Sequence, residues 1–442
     1  MECNLTSGKI ESSLIKFSLP MIVGNLIQQL YNMADTLIVG KGIGPDALAA
    51  VGSSYALMVL LTSIVLGLCI GSSVVFSQLY GANKIDDMKI SIYNAFVFTA
   101  LFSFIINSIS FLMLDNFIKW LNIPQQAVEM TREYLKIILG GMFFVTIYNF
   151  VAAVLRSIGN TVMPLVFLAV AAFTNIILDI AFVMHFGMGV AGAAIATVIS
   201  QALSAICITV YFFAKGKNLC PEKRHLHFDK KLLKSVINNS SLTAIQQSIM
   251  NFGILLVQGL VNSFGFYASA AFAVVVKIDA FAYMPAQDFG NAFSTFVAQN
   301  YGAKAFDRIK KGAIAALKIS SIFCVIASVI VVVFSRELML MFINEQETAI
   351  INIGVQYLYI VGTTYIGIGI LFLLYGFYRG LGRSQMSIVL TIISLGSRVA
   401  LAYLLSSSSM GMLGIWYAVP IGWALADIFG IYKMRGIFIG GL

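Results

Sequence analysis

The stretch Ser77-Gln78-Leu79-Tyr80-Gly81-Ala82 returns in altered form as Ala298-Gln299-Asn300-Tyr301-Gly302-Ala303. Three further motifs recur at nearly the same separation, which runs from 218 to 223 residues: Ile27-Gln28-Gln29 with Ile245-Gln246-Gln247, Arg156-Ser157-Ile158-Gly159 with Arg379-Gly380-Leu381-Gly382, and Gly189-Val190-Ala191-Gly192 with Gly411-Met412-Leu413-Gly414. Four matches spread along both halves at almost one separation indicate the duplication of a unit of about half the chain.

The composition places this duplicated unit in a membrane. Hydrophobic residues make up 59% of the 442 residues and charged residues only 11%, whereas soluble domains carry about 25% charged residues. So few charges cannot cover the surface of a water-soluble chain of this length. None of the five cysteines has the spacing of a metal site, so we expect no metal centre. The apolar runs reach the roughly 20 residues that a helix needs to cross the hydrocarbon, which predicts an all-α membrane protein.

Twelve such runs are present, six in each half of the chain. Their approximate limits are 14–40, 52–80, 90–114, 132–155, 162–186, 189–214, 233–262, 268–298, 312–334, 350–377, 385–405 and 412–433. We therefore expect two pseudo-symmetric six-helix lobes, residues 1–214 and 232–442, joined by the polar linker 215–231. We expect the linker's His225 and His227 to be solvated, because two histidines in a basic loop rarely form a metal site alone.

Basic residues predict how the spans are oriented. With both termini in the cytoplasm, 20 of the 28 lysines and arginines fall on the cytoplasmic side, 5 fall outside, and 3 lie in or near spans. This bias predicts a multi-pass protein of the cell membrane with both termini cytoplasmic, and it explains the net charge of +9 without nucleic acid as a partner. Because each half has an even number of spans, the two lobes are expected to be parallel repeats with a site between them.

Asp35 lies inside the first predicted span. Gln28, Tyr31 and Asp35 are spaced i, i+3 and i+7, so they share one helix face. A polar face on a membrane helix must meet protein or water, and a charge there costs at least a few kcal/mol, so we expect Asp35 to be functional. We expect Gln28 and Tyr31 to line a substrate cavity. The alternative is an interfacial aspartate near Lys41.

Asp179 lies inside the fifth predicted span and shares a helix face with Asn175 at i, i+4. Thr197 in span 6 can face this pair, and Asn149 in span 4 adds another amide. Carboxylates with neutral oxygens are the ligand set of a proton or Na⁺ site, so we predict cation coupling here, with no other cofactor. The alternative is a structural aspartate held by hydrogen bonds.

The second half does not repeat this acidic set. At the repeat separation, Asp35 corresponds to Gly253, Asp179 to Ala402 and Asn175 to Arg398. The coupling chemistry is therefore predicted in the first half alone.

The second half has charged residues of its own, in spans 8 and 11. Lys277 and Asp279 point to different helix faces at i, i+2, so they do not simply neutralise each other. We expect Arg398 to pair with Asp279 or Asp288, which makes Lys277, Asp279 and Arg398 a structural charge network. Gln287 and Asp288 are predicted to belong to the substrate cavity.

The chain resembles the multidrug and toxic compound extrusion (MATE) family along essentially its whole length. The stretch Pro20 to Gly40 is similar to the family's first helix, and the repeated motif is similar to the ends of its helices 2 and 8. Leu155-Arg156-Ser157-Ile158-Gly159-Asn160-Thr161 resembles its turn between helices 4 and 5. The resemblance implies a twelve-helix antiporter that exports organic cations and other amphipathic compounds, driven by inward H⁺ or Na⁺.

The resemblance also implies roles for individual residues. Asp35 matches the coupling aspartate of helix 1, Asn175 and Asp179 match the pair in helix 5, and Thr197 matches a threonine in helix 6. These positions resemble the branch that keeps its cation site in the first lobe (DinF-like). The other branch has acids in helices 7 and 10, where this chain has none between 233 and 263 or between 350 and 377.

The leading functional prediction is therefore a monomeric, cation-coupled antiporter for drug-like small molecules, embedded in the lipid bilayer, and not an enzyme. The closest alternative is a lipid-linked oligosaccharide flippase of related architecture, for which more basic charge in the cavity is expected. A membrane-embedded polyprenyl transferase requires paired acidic clusters to hold Mg²⁺. Asp86-Asp87 is the only adjacent acidic pair, and we expect it to be a solvated turn.

Overall fold

A computed structural model of the chain describes residues 3–120, 123 and 125–440, and these residues form helices and no β-strand. The α-helices are α1 Ile10–Gly42, α2 Pro45–Gly81, α3 Ile85–Leu112, α4 Leu114–Trp120, α5 Val128–Ser157, α6 Val162–Asp179, α7 Gly189–Lys215, α8 Lys230–Asn262, α9 Phe266–Gly302, α10 Phe306–Val333, α11 Ser335–Leu340, α12 Thr348–Gly362, α13 Tyr365–Gly380, α14 Ser384–Thr391, α15 Ser397–Ser406 and α16 Met412–Ile439. Turns of 3₁₀-helix occupy Gln125–Ala127, Lys217–Leu219 and Lys223–His225.

The helices confirm the predicted twelve-span, all-α architecture. Within the described residues, eleven helical segments are long and apolar enough to cross a membrane, and α12 with α13 makes a twelfth, bent by 52°. The duplication is visible in the helix lengths: α1 and α8 each have 33 residues, α2 and α9 each have 37, and α3 and α10 each have 28. Short helices α4 and α11, which the hydrophobic pattern did not predict, occupy matching places in the two halves.

Two of the predicted spans contain a turn of π-helix. Ile180–His185 follows α6 directly, and Ile392–Gly396 joins α14 to α15. The π-turns therefore occur in spans 5 and 11, which are repeat partners. Such turns insert one extra residue into a helix and are frequent at functional sites, which directs attention to Asp179 at the end of α6.

The chain forms two compact units whose limits differ from the predicted lobe boundaries. One unit contains Val23–Ala244 together with Cys3, and the other contains Asn4–Ile22 with Ile245–Leu442. The divisions fall inside α1 and α8, whereas the prediction placed one boundary in the linker 215–231. In the first unit, buried side chains of α2, α3, α5 and α7 form a continuous apolar core. In the second unit, α9 packs most extensively on α13.

The linker packs against the first turns of α3, and this corrects the prediction of a solvated His225. His225 is buried, with Nε2 2.9 Å from Asp86 Oδ1, and its Nδ1 accepts the backbone N–H of Glu222 at 3.0 Å. The ammonium of Lys89 donates to Glu222 Oε1 at 2.9 Å and lowers the pKa of that carboxyl group. Asp86 is thus part of an ion-pair cluster, which also includes Arg224.

Arg308 at the start of α10 binds the amino-terminal segment through three backbone carbonyls of the second unit. Its Nε donates to Leu5 at 3.1 Å, and its two terminal nitrogens donate to Gly8 at 2.8 Å and Ser7 at 2.6 Å. Asn300 donates to the same Leu5 carbonyl at 3.1 Å. A guanidinium presents several donors in a fixed fork, so this one side chain can satisfy three carbonyls at once.

We expect Arg308→Gln to lower the free energy of unfolding by about 1–3 kcal/mol, because it removes three charge-assisted hydrogen bonds from a partly exposed site. Thermal unfolding in detergent measures this loss. Arg435→Gln is the matched control, because Arg435 is exposed at the end of α16. Equal melting temperatures for the two variants would contradict the role of Arg308.

Candidate functional site

The structure brings Asp35 and Asp179 together. Asp35 lies on α1, and Asp179 is the last residue of α6, directly before the π-turn. Their carboxyl groups lie within hydrogen-bonding reach of each other. Asp179 is fully buried, with a relative exposure of 0%. Two residues that are 144 positions apart in the sequence therefore form one acidic pair inside the first unit.

This acidic pair has few hydrogen-bond donors. Both carboxylate oxygens of Asp179 and the Oδ1 of Asp35 are buried, and none of the described residues donates a hydrogen bond to them. Two ionised carboxylates only accept hydrogen bonds, so the pair can form a bond between its members only when one of them carries a proton. Buried anions at this spacing repel each other, and a proton or a small cation between them removes the repulsion.

Neutral oxygen and nitrogen atoms extend the pair along α6 and α7. Asn175 lies one turn before Asp179, and its Nδ2 donates to Thr197 Oγ1 on α7 at 3.3 Å. The Oδ1 of Asn175 is buried without a donor among the described residues. The predicted contact of Asn175 with Thr197 is therefore present. Asn149 instead donates to the carbonyl of Val145 on its own helix at 2.9 Å, so its part in a cation site stays a prediction.

Two tyrosines stand near the acidic pair. Tyr31, which the sequence assigned to the substrate cavity, interacts electrostatically with both Asp35 and Asp179, and its hydroxyl lies within hydrogen-bonding reach of Gln28. Tyr134 on α5 interacts with the same two acids, and it is not among the site residues that the sequence predicts. One signal was available: Tyr134-Leu135 has a repeat partner in Tyr357-Leu358.

The second unit arranges its charges differently from the prediction. The carboxylate of Asp279 accepts hydrogen bonds from the hydroxyls of Tyr357, at 2.6 Å, and Tyr365. Arg398 interacts with Asp279 electrostatically, but these two residues form no ion pair in the part of the chain that the structure describes. Tyrosine hydroxyls from α12 and α13 therefore bond to Asp279 in place of Arg398. The other predicted pairing, of Arg398 with Asp288, stays a prediction.

The other predicted residues of the second unit lie on α9. Lys277 places its Nζ 5.8 Å from the centre of the Phe342 ring, which is a cation–π contact. Gln287 and Asp288 are both partly buried. Their assignment to a substrate cavity stays a prediction.

A family model described as MatE matches the chain twice, over residues 20–181 and 243–404. The chain belongs to the MatE family. The matches start at residues 20 and 243, and this spacing agrees with the separation of the repeated motifs. The duplication and the predicted MATE membership are therefore both confirmed. Assignment to the branch with a first-lobe cation site stays a prediction.

Curated relatives of this MatE protein extend over nearly its whole length. "Probable multidrug resistance protein YoeA" of Bacillus subtilis (strain 168) is 28% identical over 95% of this chain and 93% of the relative. "Probable multidrug resistance protein NorM" of Thermotoga maritima is 27% identical over 95% of this chain and 90% of the relative. The family and these relatives support a multidrug efflux transporter, as the resemblance implied.

Solved structures share the fold. An outward-facing multidrug resistance MATE family transporter of the MOP superfamily superposes with a TM-score of 0.92 and 22% identity, covering 98% of this chain and 97% of that one. The similarity extends across both halves of the MatE chain.

Proposed function

We propose that this MatE chain exports cationic or amphipathic drug-like compounds in exchange for H⁺ or Na⁺ held by Asp35 and Asp179. The observation that carries the proposal is the acidic pair, in which both oxygens of Asp179 and the Oδ1 of Asp35 are buried and lack donors among the described residues. We further infer that the chain belongs to the branch with its cation site in the first lobe, and that it works as a monomer with both termini in the cytoplasm.

Coupling follows if the two conformations of the transporter differ in their affinity for the cation. A bound cation stabilises the arrangement that keeps Asp35 and Asp179 close together, because it removes their repulsion. Release of the cation then favours an arrangement in which the carboxylates are separated or hydrated. A drug that binds this second arrangement more tightly therefore exchanges with the cation. Each of the two ligands shifts the equilibrium between the arrangements only by the difference between its affinities for them.

Both coupling ions are compatible with the side chains at the pair. A proton shared between the two carboxyl groups removes the repulsion between them directly. A Na⁺ ion prefers oxygen ligands, and the Oδ1 of Asn175, one turn before Asp179 on α6, and the hydroxyl of Thr197 on α7 can supply them.

Export from proteoliposomes under imposed gradients tests the proposal. We expect a cationic dye to move against its own gradient when either a pH gradient or a Na⁺ gradient is imposed across vesicles that contain the purified protein. Dissipating the effective gradient with an ionophore should return transport to the rate of protein-free vesicles. Dye movement that is equally fast with no ion gradient would contradict a coupled antiporter.

A further inference from the structure

Span 10 is bent without a proline. α12 ends at Gly362, α13 begins at Tyr365, and the two helices are bent by 52° at this break. Proline is the usual cause of so sharp a bend, but residues 348–380 contain none. Instead the hydroxyls of Thr363 and Thr364 donate to carbonyls in the last turn of α12, at 2.9 Å and 2.8 Å, as threonines do where a helix bends. No ring therefore imposes the bend, and its angle depends on what holds the two helices.

One carboxylate holds both sides of the break. Asp279 on α9 accepts the hydroxyl of Tyr357 on α12 with its Oδ2, at 2.6 Å, and the hydroxyl of Tyr365 on α13 with its Oδ1. Both tyrosines are buried, and α9 packs on both α12 and α13. Because a carboxylate has two acceptor oxygens, each helix bonds to an oxygen of its own. We call these three residues of the second unit the clamp.

The first half provides an internal comparison. Its span 4 is formed by α5, a single unbroken helix of 30 residues. At the repeat separations of 223 and 221 residues, Met142 corresponds to Tyr365 and Met58 corresponds to Asp279. Both methionines belong to the apolar core of the first unit. The unbroken span thus has apolar side chains at two of the three clamp positions, and the bent span has a hydroxyl and a carboxylate there.

We propose that span 10 is a hinge of the second unit and that Asp279 is a positioning residue, which keeps the hinge bent through Tyr357 and Tyr365. Hinges consist of a few residues at the ends of elements, and Thr363 with Thr364 lies between the ends of α12 and α13. Side-chain hydrogen bonds can open and re-form in a folded protein, so this bend can change during transport. The use of the hinge in transport rests on the proposed function, whereas the clamp itself does not.

The distance between two spin labels measures the bend directly. The full-length chain, with its five native cysteines replaced by alanine, carries the labels at Thr348→Cys, where α12 begins, and at Arg383→Cys, just after α13. Both positions are exposed. α12 and α13 have 15 and 16 residues, so loss of the bend lengthens the distance between their far ends by about 5 Å. Double electron–electron resonance in detergent resolves this shift.

Asp279→Met combined with Tyr365→Met gives the clamp the residues that the first half has at these positions. We expect this variant to show a distance about 5 Å longer than that of the labelled parent. Tyr357→Phe and Tyr365→Phe each remove one bond and should show the longer distance as a second population. Tyr378→Phe is the matched control, because the hydroxyl of Tyr378 on α13 donates to the Gly430 carbonyl at 2.7 Å, outside the clamp. It should keep the parent distance.

An unchanged distance in the double methionine variant would overturn the proposal, because the break alone would then set the bend. An equal shift in Tyr378→Phe would also overturn it, since the loss of any tyrosine hydrogen bond would then have this effect. If the double methionine variant does not fold, Tyr357→Phe and Tyr365→Phe decide alone, because each keeps its aromatic ring.

Dye export by the same variants in proteoliposomes tests whether the hinge serves transport. We expect export to slow several-fold in the double methionine variant and to stay at the parent rate in Tyr378→Phe, because only the first changes the bend. Export at the parent rate by a variant with the longer distance would overturn this role. The distances require no transport, so a failure of the proposed antiport leaves the result on the clamp independent.

Discussion

Asp35→Asn is expected to abolish cation-coupled export and to leave the protein folded. The substitution keeps the size of the side chain but removes one of the two carboxylates that face each other between α1 and α6. A single remaining acid has no anionic neighbour whose repulsion a proton or Na⁺ can relieve. The free-energy difference that ties cation binding to one conformation is thereby lost, and transport falls to the rate of protein-free vesicles.

Folding should survive because the variant relieves an unfavourable contact. Asp179 has no donor among the described residues, and an asparagine amide at position 35 can donate a hydrogen bond to it. We therefore expect a melting temperature equal to or above that of the parent. Asp46→Asn is the matched control, because Asp46 is exposed at the start of α2 and its loss should leave export intact.

Initial rates of gradient-driven dye export, measured in proteoliposomes with equal amounts of each protein, decide the result. Export by Asp35→Asn at the parent rate would refute the role of the acidic pair. Drug binding should be retained in Asp35→Asn, and this can be followed by fluorescence of the dye. Loss of binding together with transport would indicate that Asp35 contacts the drug and does not couple the cation.

The sequence alone predicted the spans because the length of an apolar segment is set mainly by the thickness of the hydrocarbon that it crosses. A helix must keep about 20 apolar residues in the hydrocarbon whatever it packs against, so the limits follow from the chain itself. It also predicted that Asp179 and Asn175 share a face. The contact between Asp35 and Asp179 depends on the packing of two helices, because the residues are 144 positions apart in the sequence. The expectation that both residues serve one site came from the resemblance to MATE transporters.

The errors lie where contacts between distant residues decide the outcome. His225 was expected to be solvated, yet its partner Asp86 is 139 residues away, beyond any local pattern. Arg398 was expected to pair with Asp279 or Asp288 because opposite charges attract. Asp279 instead accepts tyrosine hydroxyls, which satisfy a carboxylate at a smaller desolvation cost than a second buried ion. Tyr134 was overlooked because an aromatic residue in a membrane helix usually indicates core packing.

Gly71→Ala is expected to destabilise the protein. Gly67 and Gly71 form a G-x-x-x-G spacing on α2, and α8 crosses this face within the first unit. A Cβ at Gly71 would lie 2.4 Å from the carbonyl oxygen of Asn239 and 2.5 Å from the Cα of Ser240. The contact between α2 and α8 also includes a hydrogen bond of 2.8 Å between Ser72 Oγ and Ser240 Oγ. Small residues at this spacing let two membrane helices approach backbone to backbone.

One added methyl group at position 71 must displace a helix backbone and not a flexible side chain. Overpacking of this kind costs about 1–3 kcal/mol or more, and weakening the serine hydrogen bond adds to that loss. Alanine is also a better helix former than glycine by about 1 kcal/mol, so we expect a net loss of about 2 kcal/mol. Gly71→Leu should prevent stable folding, because its larger side chain overlaps the same backbone atoms.

Gly52→Ala separates packing from helix propensity, because Gly52 lies on the same helix and an added Cβ there meets no atom within 4 Å. Helix propensity alone predicts that both alanine variants are stabilised by up to about 1 kcal/mol. Close packing predicts that Gly52→Ala is stabilised and Gly71→Ala destabilised. Thermal unfolding in detergent distinguishes the two, since a melting temperature that rises in both variants would show that α8 can move away from α2 at little cost.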